Sequence, residues 1–288
     1  MSSPQLPKVN TLLLSIPEPH VLLITINRPK NFNSLNPEAN WEMHRVVDWA
    51  EAEDSIWCII ITGQGDKAYC AGFDLVTGHH QRAENKAKNS VGGESPSSGF
   101  GGISNRNQAR KPVISAVNGY SLGGGTEMCL ASDIVVATQR SKFGLPEVKQ
   151  GLTAASGGLA RIVRSLPYQV AAELVLTGRF FDAQEAYSYG LVNKVIPNDA
   201  NVVEAALEYA RTITKNSPDA VMLTKQGLLL ALERDSVTKA TKEWLDSDEA
   251  TVWRNGENLT IGLRAFATKQ KPQYQNPAPI IKKHGSKL

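Results

Sequence analysis

The sequence predicts an α/β protein with a helical C-terminal part. Short apolar runs alternate with amphipathic stretches up to about residue 200, which is the pattern of strands interleaved with helices. Glycine-rich turns close several of those runs, and from Asn201 onward the period is almost wholly helical.

In chain order, HVLLITIN, His20 to Asn27, reads as a buried strand, and the turn-rich NRPKNFNSLNP follows it. Asn36 and Pro37 are a cap and first turn for a helix running through Trp49. IWCIIITG, Ile56 to Gly63, is a second buried strand ending in the turn GQGD, and YCAGFDL comes next. Residues 84–107 are rich in Gly, Ser and Asn and predict a loop or short helix outside the core. KPVISAVNG, Lys111 to Gly119, is a third strand, GGGTEMCLAS a short helix and DIVVAT a fourth strand. In SGGLARIVRSLP, Leu159, Ile162, Val163 and Leu166 mark one helical face. Asp182 caps AQEAYSYG, Gly190 stops it, and LVNKVIP is a last strand. Three long helical stretches and a final turn through LTIGLRAFATKQ complete the pattern. The expected organisation is a core over 1–200, a helical region over 201–270 and an extended tail over 271–288.

Composition excludes several classes. The 288 residues are 41% hydrophobic and 20% charged, with 31 Lys+Arg against 28 Asp+Glu. The resulting net charge of +3 gives no basic footprint for nucleic acid. The three cysteines, Cys58, Cys70 and Cys129, have neither disulfide nor zinc spacing and read as core thiols. No apolar run is long enough to span a bilayer, and MSSPQLPKVN lacks the pattern of a secretory signal. The last residues, Ser286, Lys287 and Leu288, match the peroxisomal matrix address, so a peroxisomal location and an import-receptor partner are expected.

The chemistry concentrates in NGYSLGGGTE, Asn118 to Glu127. GYSLG fits the G-x-S-x-G elbow of serine hydrolases, with Ser121 as nucleophile. That fold places its histidine after the serine, and of five histidines only His284 does so, in the tail. The phosphate-loop reading fails because Thr126-Glu127 stands where Lys-Ser/Thr is required. A dinucleotide fingerprint fails because Ser121 takes the place of its second glycine. Glycines at a helix start instead leave backbone N–H groups free, at the positive end of the helix dipole, for charge developing on a carbonyl oxygen. Glu127 follows two residues after the last glycine, and a second carboxylate, Glu147, stands in FGLPEVKQG. In YCAGFDL, Ala71-Gly72-Phe73 makes a further turn after a strand.

With those pieces in view, the chain resembles the enoyl-CoA hydratase/isomerase (crotonase) superfamily. NRPKNFNSLN, AYCAGFDL, AVNGYSLGGGTEMCLASDIVVA, FGLPEVKQGL, FDAQEAYSYGLVNKV and AFATKQKP occur in the family's order, from about residue 10 to residue 272. The resemblance implies a spiral of repeated ββα units with a helical trimerisation region, commonly assembled as a homotrimer or dimer of trimers. It implies that the Phe73 and Gly124 N–H groups form an oxyanion hole for a thioester oxygen, and that Glu127 and Glu147 are the catalytic carboxylates. Lys30, Phe32, Ser34, Ala71, Asp74 and Leu75 stand where the family binds CoA, and Phe266 and Lys269 match C-terminal CoA contacts from a neighbouring subunit. The implied reaction is reversible addition of water to a 2-enoyl-CoA, with no metal and no cofactor beyond the CoA of the substrate. Keeping both glutamates favours a hydratase over a double-bond isomerase, which is the alternative. The chain departs from the family in GLTAASGG, where Ala154 and Ala155 replace glycine-bearing positions near the catalytic water, leaving substrate identity open.

Overall fold

The computed structural model describes residues 4–75, 95–106 and 109–278. Its first strands, β1 (Leu12–Glu18) and β2 (Val21–Ile26), form an antiparallel pair. A larger sheet continues from β2 through β3 (Cys58–Gly63), β5 (Val113–Val117), β7 (Ile134–Thr138) and β10 (Lys194–Ile196), all parallel. A smaller sheet is ordered β4 (Ala68–Cys70), β6 (Tyr120–Leu122), β8 (Lys142–Gly144), β9 (Phe181–Asp182).

The strands enter the two sheets in couplets. β3 and β4, β5 and β6, and β7 and β8 each add one strand to the larger sheet and one to the smaller, so the chain winds as a spiral. The turns between sheets are tight: Tyr120 N–H donates to the Lys67 carbonyl at 3.0 Å, and a β-carbon at Gly119 would lie 2.2 Å from that oxygen. Parallel strands covered on both faces show no alternation of polarity, which is why β3 and β5 are buried at every position. Ile59 and Ile61 enter the core shared with α1 (Pro37–Ala52), whereas Ile60 and Ile114 face the core completed by α6 (Val202–Thr214).

The helix after β6, α2 (Gly124–Ala131), begins the candidate site. α3 (Gly158–Ser165), α4 (Tyr168–Thr177) and α5 (Ala183–Ser188) follow, the last with the expected Asp182 cap and a reciprocal Glu185 bond. Beyond α6 come α7 (Pro218–Glu233), α8 (Val237–Leu245), α9 (Asp248–Asn255) and α10 (Glu257–Thr268). The third of the long helical stretches, SVTKATKEWLDSDEATVW from Ser236 to Trp253, is two helices, because the Ser247 side chain accepts the Ala250 N–H and starts α9 anew. Lys225 of α7 fastens this region to the sheet, donating to the Lys111 carbonyl at 2.8 Å and to Asp133 Oδ2 at 2.7 Å.

The segment expected to be a loop or short helix outside the core does hold a short 3-10 helix, Phe100–Gly102, but it lies in the core and not outside it. Residues 98–104 form a buried turn, with Phe100 6% exposed and Ser104 0%. Gly99, Gly101 and Gly102 adopt positive φ there, and a β-carbon at Gly101 would lie 2.4 Å from Met128 Sδ. The glycines permit close packing in this case, not mobility. The terminal Ser286-Lys287-Leu288 and His284 lie outside the described residues.

Candidate active site

Three consecutive glycines open α2 because three neighbours press on them. Gly123 has φ 52°, and its β-carbon would lie 3.0 Å from Glu147 Oε1. At Gly124 the β-carbon would meet the Phe100 ring at 2.5 Å, and at Gly125 the Cys70 carbonyl at 2.1 Å. The backbone of α2 therefore approaches β4 and Glu147 more closely than any side chain would permit.

The Gly72–Phe73 turn abuts the same helix end. A β-carbon at Gly72 (φ 92°) would lie 2.8 Å from the Leu122 carbonyl and 3.3 Å from the Gly124 nitrogen. Leu35 pairs across this turn, its N–H donating to the Gly72 carbonyl at 2.9 Å while its carbonyl accepts the Asp74 N–H at 3.0 Å. That register turns the Phe73 N–H away from Leu35. Among the described residues neither the Phe73 nor the Gly124 N–H donates a hydrogen bond. Two unengaged backbone N–H groups thus lie on adjoining turns at one helix N-terminus, where the helix dipole favours negative charge.

Both carboxylates stand at this point. Glu127 is 3% exposed, and its Oε1 accepts the N–H groups of Ser156 and Gly158, each at 2.9 Å. Burial, aided by the nearby Glu147 charge, pushes its pKa up to about 7 against those two bonds. Gly158 is needed for the approach, since a β-carbon there would lie 2.7 Å from Glu127 Cγ. Glu147 sits in the 3-10 turn Pro146–Gln150, held by the Leu152 N–H on its carbonyl at 2.9 Å. Burial raises its pKa as well, and its Oε2 is buried without a partner among the described residues. A carboxyl in that state is poised to hold a proton and present it.

Ser121 is fully buried, its hydroxyl 3.3 Å from Cys129 Sγ. Its hydroxyl faces core sulfur instead of the site, which removes the serine-nucleophile reading. All three cysteines are buried and free, as expected of core thiols.

The segments matched to CoA binding are brought together. Lys30 and Phe32 are exposed on the turn after β2, and the Ala71 N–H donates to the Phe32 carbonyl at 3.0 Å. Arg28 bridges the two segments, donating to the Ser34 carbonyl and pairing with Asp74 Oδ2 at 3.1 Å. The Asp74 and Ser34 side chains are buried in this junction, while Leu75 is exposed beside it. Phe266 and Lys269 lie apart from it on α10, which packs on α7 and α9, and Phe266 is 87% exposed. Arg28, Ser156 and Gly158 were not singled out from the sequence. The Ser156-Gly157-Gly158 run before a helix was the available signal for the last two, since it offers free N–H groups.

Comparison with known proteins assigns the chain to a family. The enoyl-CoA hydratase/isomerase family model matches residues 18–277. A mevalonyl-coenzyme A hydratase of Beauveria bassiana is 42% identical over 275 residues, covering 94% of this chain and 97% of the relative. A short-chain-enoyl-CoA hydratase of Clostridium acetobutylicum is 36% identical, covering 92% of this chain and 97% of the relative. A crystal structure of enoyl-CoA hydratase from Mycobacterium tuberculosis superposes with a TM-score of 0.80 at 33% identity, covering 92% of this chain and 99% of that one. The chain belongs to the enoyl-CoA hydratase/isomerase family and has the crotonase fold. It is a hydro-lyase of the enoyl-CoA hydratase type, acting on acyl-CoA thioesters.

Proposed function

We propose that the protein adds water to, and removes it from, a short 3-methyl-branched acyl-CoA of the mevalonyl class. The observation that carries the hydratase mechanism is the pair of carboxylates, buried Glu127 and half-buried Glu147, beside the unengaged N–H groups of Phe73 and Gly124. In hydration, Glu127 takes a proton from water as the water oxygen bonds to C3. Negative charge passes to the thioester oxygen, which the two N–H groups hold, and Glu147 delivers a proton to C2. Dehydration runs the same steps backwards. The 42% identity to a mevalonyl-coenzyme A hydratase along nearly the whole chain supports the branched substrate.

The test compares dehydration of mevalonyl-CoA and 3-hydroxybutyryl-CoA by the rise of conjugated-thioester absorbance, with free thiol followed in parallel. Mevalonyl-CoA is expected to show a kcat/KM at least about tenfold higher, the scale on which a pocket discriminates small apolar groups. Preference for the unbranched substrate would refute the mevalonyl class and leave the hydratase standing. Thiol release as the main product would refute both.

The CoA moiety is proposed to lie along Lys30, Phe32, Ser34, Ala71, Asp74 and Leu75, with Phe266 and Lys269 supplied by a neighbouring copy in a trimer or dimer of trimers. Phe266 at 87% exposure and Leu263 at 64%, on one helix, support a partner surface there. Light scattering is expected to return three or six copies, and Phe266→Ala to raise KM for the thioester with little change in kcat. A monomer with unaltered KM in the variant would refute this arrangement.

A further inference from the structure

The buried turn at residues 98–104 touches both halves of the candidate site. The Phe100 ring lies against Gly124, and Gly101 packs on Met128 one residue beyond Glu127. The Ser104 carbonyl accepts Arg161 Nε at 2.9 Å and would lie 2.6 Å from a β-carbon at Gly157. Gly157 is the cap residue of α3, whose Gly158 N–H holds Glu127. The turn therefore backs the proposed oxyanion donor on one side and the cradle of the first carboxylate on the other.

What holds the turn is a polar ladder on α1. Asn40, His44 and Asp48 are spaced four residues apart, so they share one face of the helix. Asn40 Oδ1 accepts the Gly101 N–H at 2.7 Å. His44 Nδ1 lies 2.8 Å from Ser98 Oγ, at the entry to the turn. Asp48 divides its two oxygens, Oδ2 facing His44 Nε2 at 3.3 Å and Oδ1 taking Arg106 Nη2 at 2.6 Å. Arg106 Nε in turn donates to the Gly102 carbonyl at 2.8 Å. Entry, middle and exit of the turn are each tied to the same helix face. Within the turn, Ser104 Oγ accepts the Phe100 N–H at 2.7 Å, closing it on itself. Ser98, His44 and Asp48 have the residue types of a hydrolytic triad, but Ser98 is only 7% exposed and its hydroxyl is spent on fixing the turn.

We propose that His44 is a positioning residue for the hydration reaction: bridging Asp48 to Ser98, it fixes the Phe100 turn against which Gly124 and the Glu127 cradle are set. The proposal rests on the reading of Gly124 as an oxyanion donor. A displaced donor lowers transition-state stabilisation more than it lowers CoA binding, because CoA is held elsewhere.

The experiment uses the full chain with a 2,4-dienoyl-CoA, whose absorbance moves to the red when the thioester oxygen is polarised, alongside steady-state hydration of crotonyl-CoA at 15 °C. Wild type is expected to show the red shift on binding. His44→Leu is expected to lose most of it and to lower kcat by about tenfold or more, with KM within about threefold, the scale of a small misplacement of a reacting group. His44→Asn places an amide where Nδ1 stood and is expected to recover both. Ser98→Ala breaks the same bond from the other side and serves if His44→Leu does not fold. Unchanged kcat and red shift in His44→Leu or Ser98→Ala overturn the proposal, as does a lowered Tm with kcat unaltered. A Phe100→Ala variant that keeps full kcat overturns it too, whereas a wild-type complex without a red shift instead overturns the reading of Gly124 on which it rests.

Discussion

Glu147→Gln is expected to lower kcat for hydration by about 10³-fold, within the range removed when a positioned general acid is lost. The glutamine fills the same space and keeps the turn at Pro146–Gln150, but its amide cannot release a proton to C2. The proposed CoA contacts do not include this side chain, so KM is expected to stay within a few-fold. The substitution has a second readout, the pH profile of the residual activity. Burial is the first cause that raises Glu127 to about 7, and the Glu147 charge adds to it only where Glu147 is ionised, whereas the active form holds Glu147 protonated. As a base, Glu127 is active when ionised. In wild type kcat/KM is therefore expected to fall as pH drops through about 7 and to fall again at higher pH as Glu147 loses its proton, and residual activity in Glu147→Gln to keep the first limb and lose the second. A variant retaining more than a tenth of wild-type kcat would remove Glu147 from the proposed mechanism. A high-pH limb that survives in Glu147→Gln would mean that Glu147 is not the group that supplies the proton. Glu127→Gln separates the roles further, since it is expected to lose the limb near pH 7 along with the base.

The larger sheet was legible in the sequence because its central strands are buried on both faces and therefore read as unbroken apolar runs. The smaller sheet was not. β4, β6 and β8 are three residues each, too short to carry a period, and β6 falls inside the glycine-rich stretch that draws attention to chemistry. Without those strands the couplets that make the spiral cannot be seen, so the spiral entered only through resemblance. β1 was also passed over, its LLLSIPE broken by Pro17 as edge strands often are. The site divides similarly. Glu127, Glu147 and the glycines were visible as residue types in context. What orients them was not, because Ser156 and Gly158 act through backbone N–H groups and Gly124 is shaped by Phe100 from a segment whose composition resembles a loop. Asn40, His44 and Asp48 stood four apart on a helix already recognised, a signal that a search for polar faces would have caught.

Gly72→Ala is expected to cost about 10²-fold in kcat or more, the scale of losing one oxyanion-hole donor, although it deletes no chemical group. Two effects combine. The backbone at Gly72 has φ 92°, a conformation that alanine adopts only under strain. The new methyl would also lie 2.8 Å from the Leu122 carbonyl and 3.3 Å from the Gly124 nitrogen. Neither neighbour is a flexible side chain. Leu122 ends β6, and Gly124 begins α2 under the Phe100 ring, so the 72–73 turn must give way. Its movement carries the Phe73 N–H with it and separates the two donors. Leu35 pairs across Gly72 through its N–H, and Arg28 clamps Asp74 beside it, so displacement propagates to the proposed CoA segment. Here KM is expected to rise as kcat falls, in contrast to Glu147→Gln, where kcat falls alone. Gly65→Ala is the control, since that residue also has positive φ, 85°, but nothing lies within 4 Å of its β-carbon. It bears similar backbone strain away from the donors, so its kcat is expected to stay near wild type. Equal losses in the two variants would show that strain alone accounts for the effect and that the approach of Gly72 to Gly124 is irrelevant to catalysis.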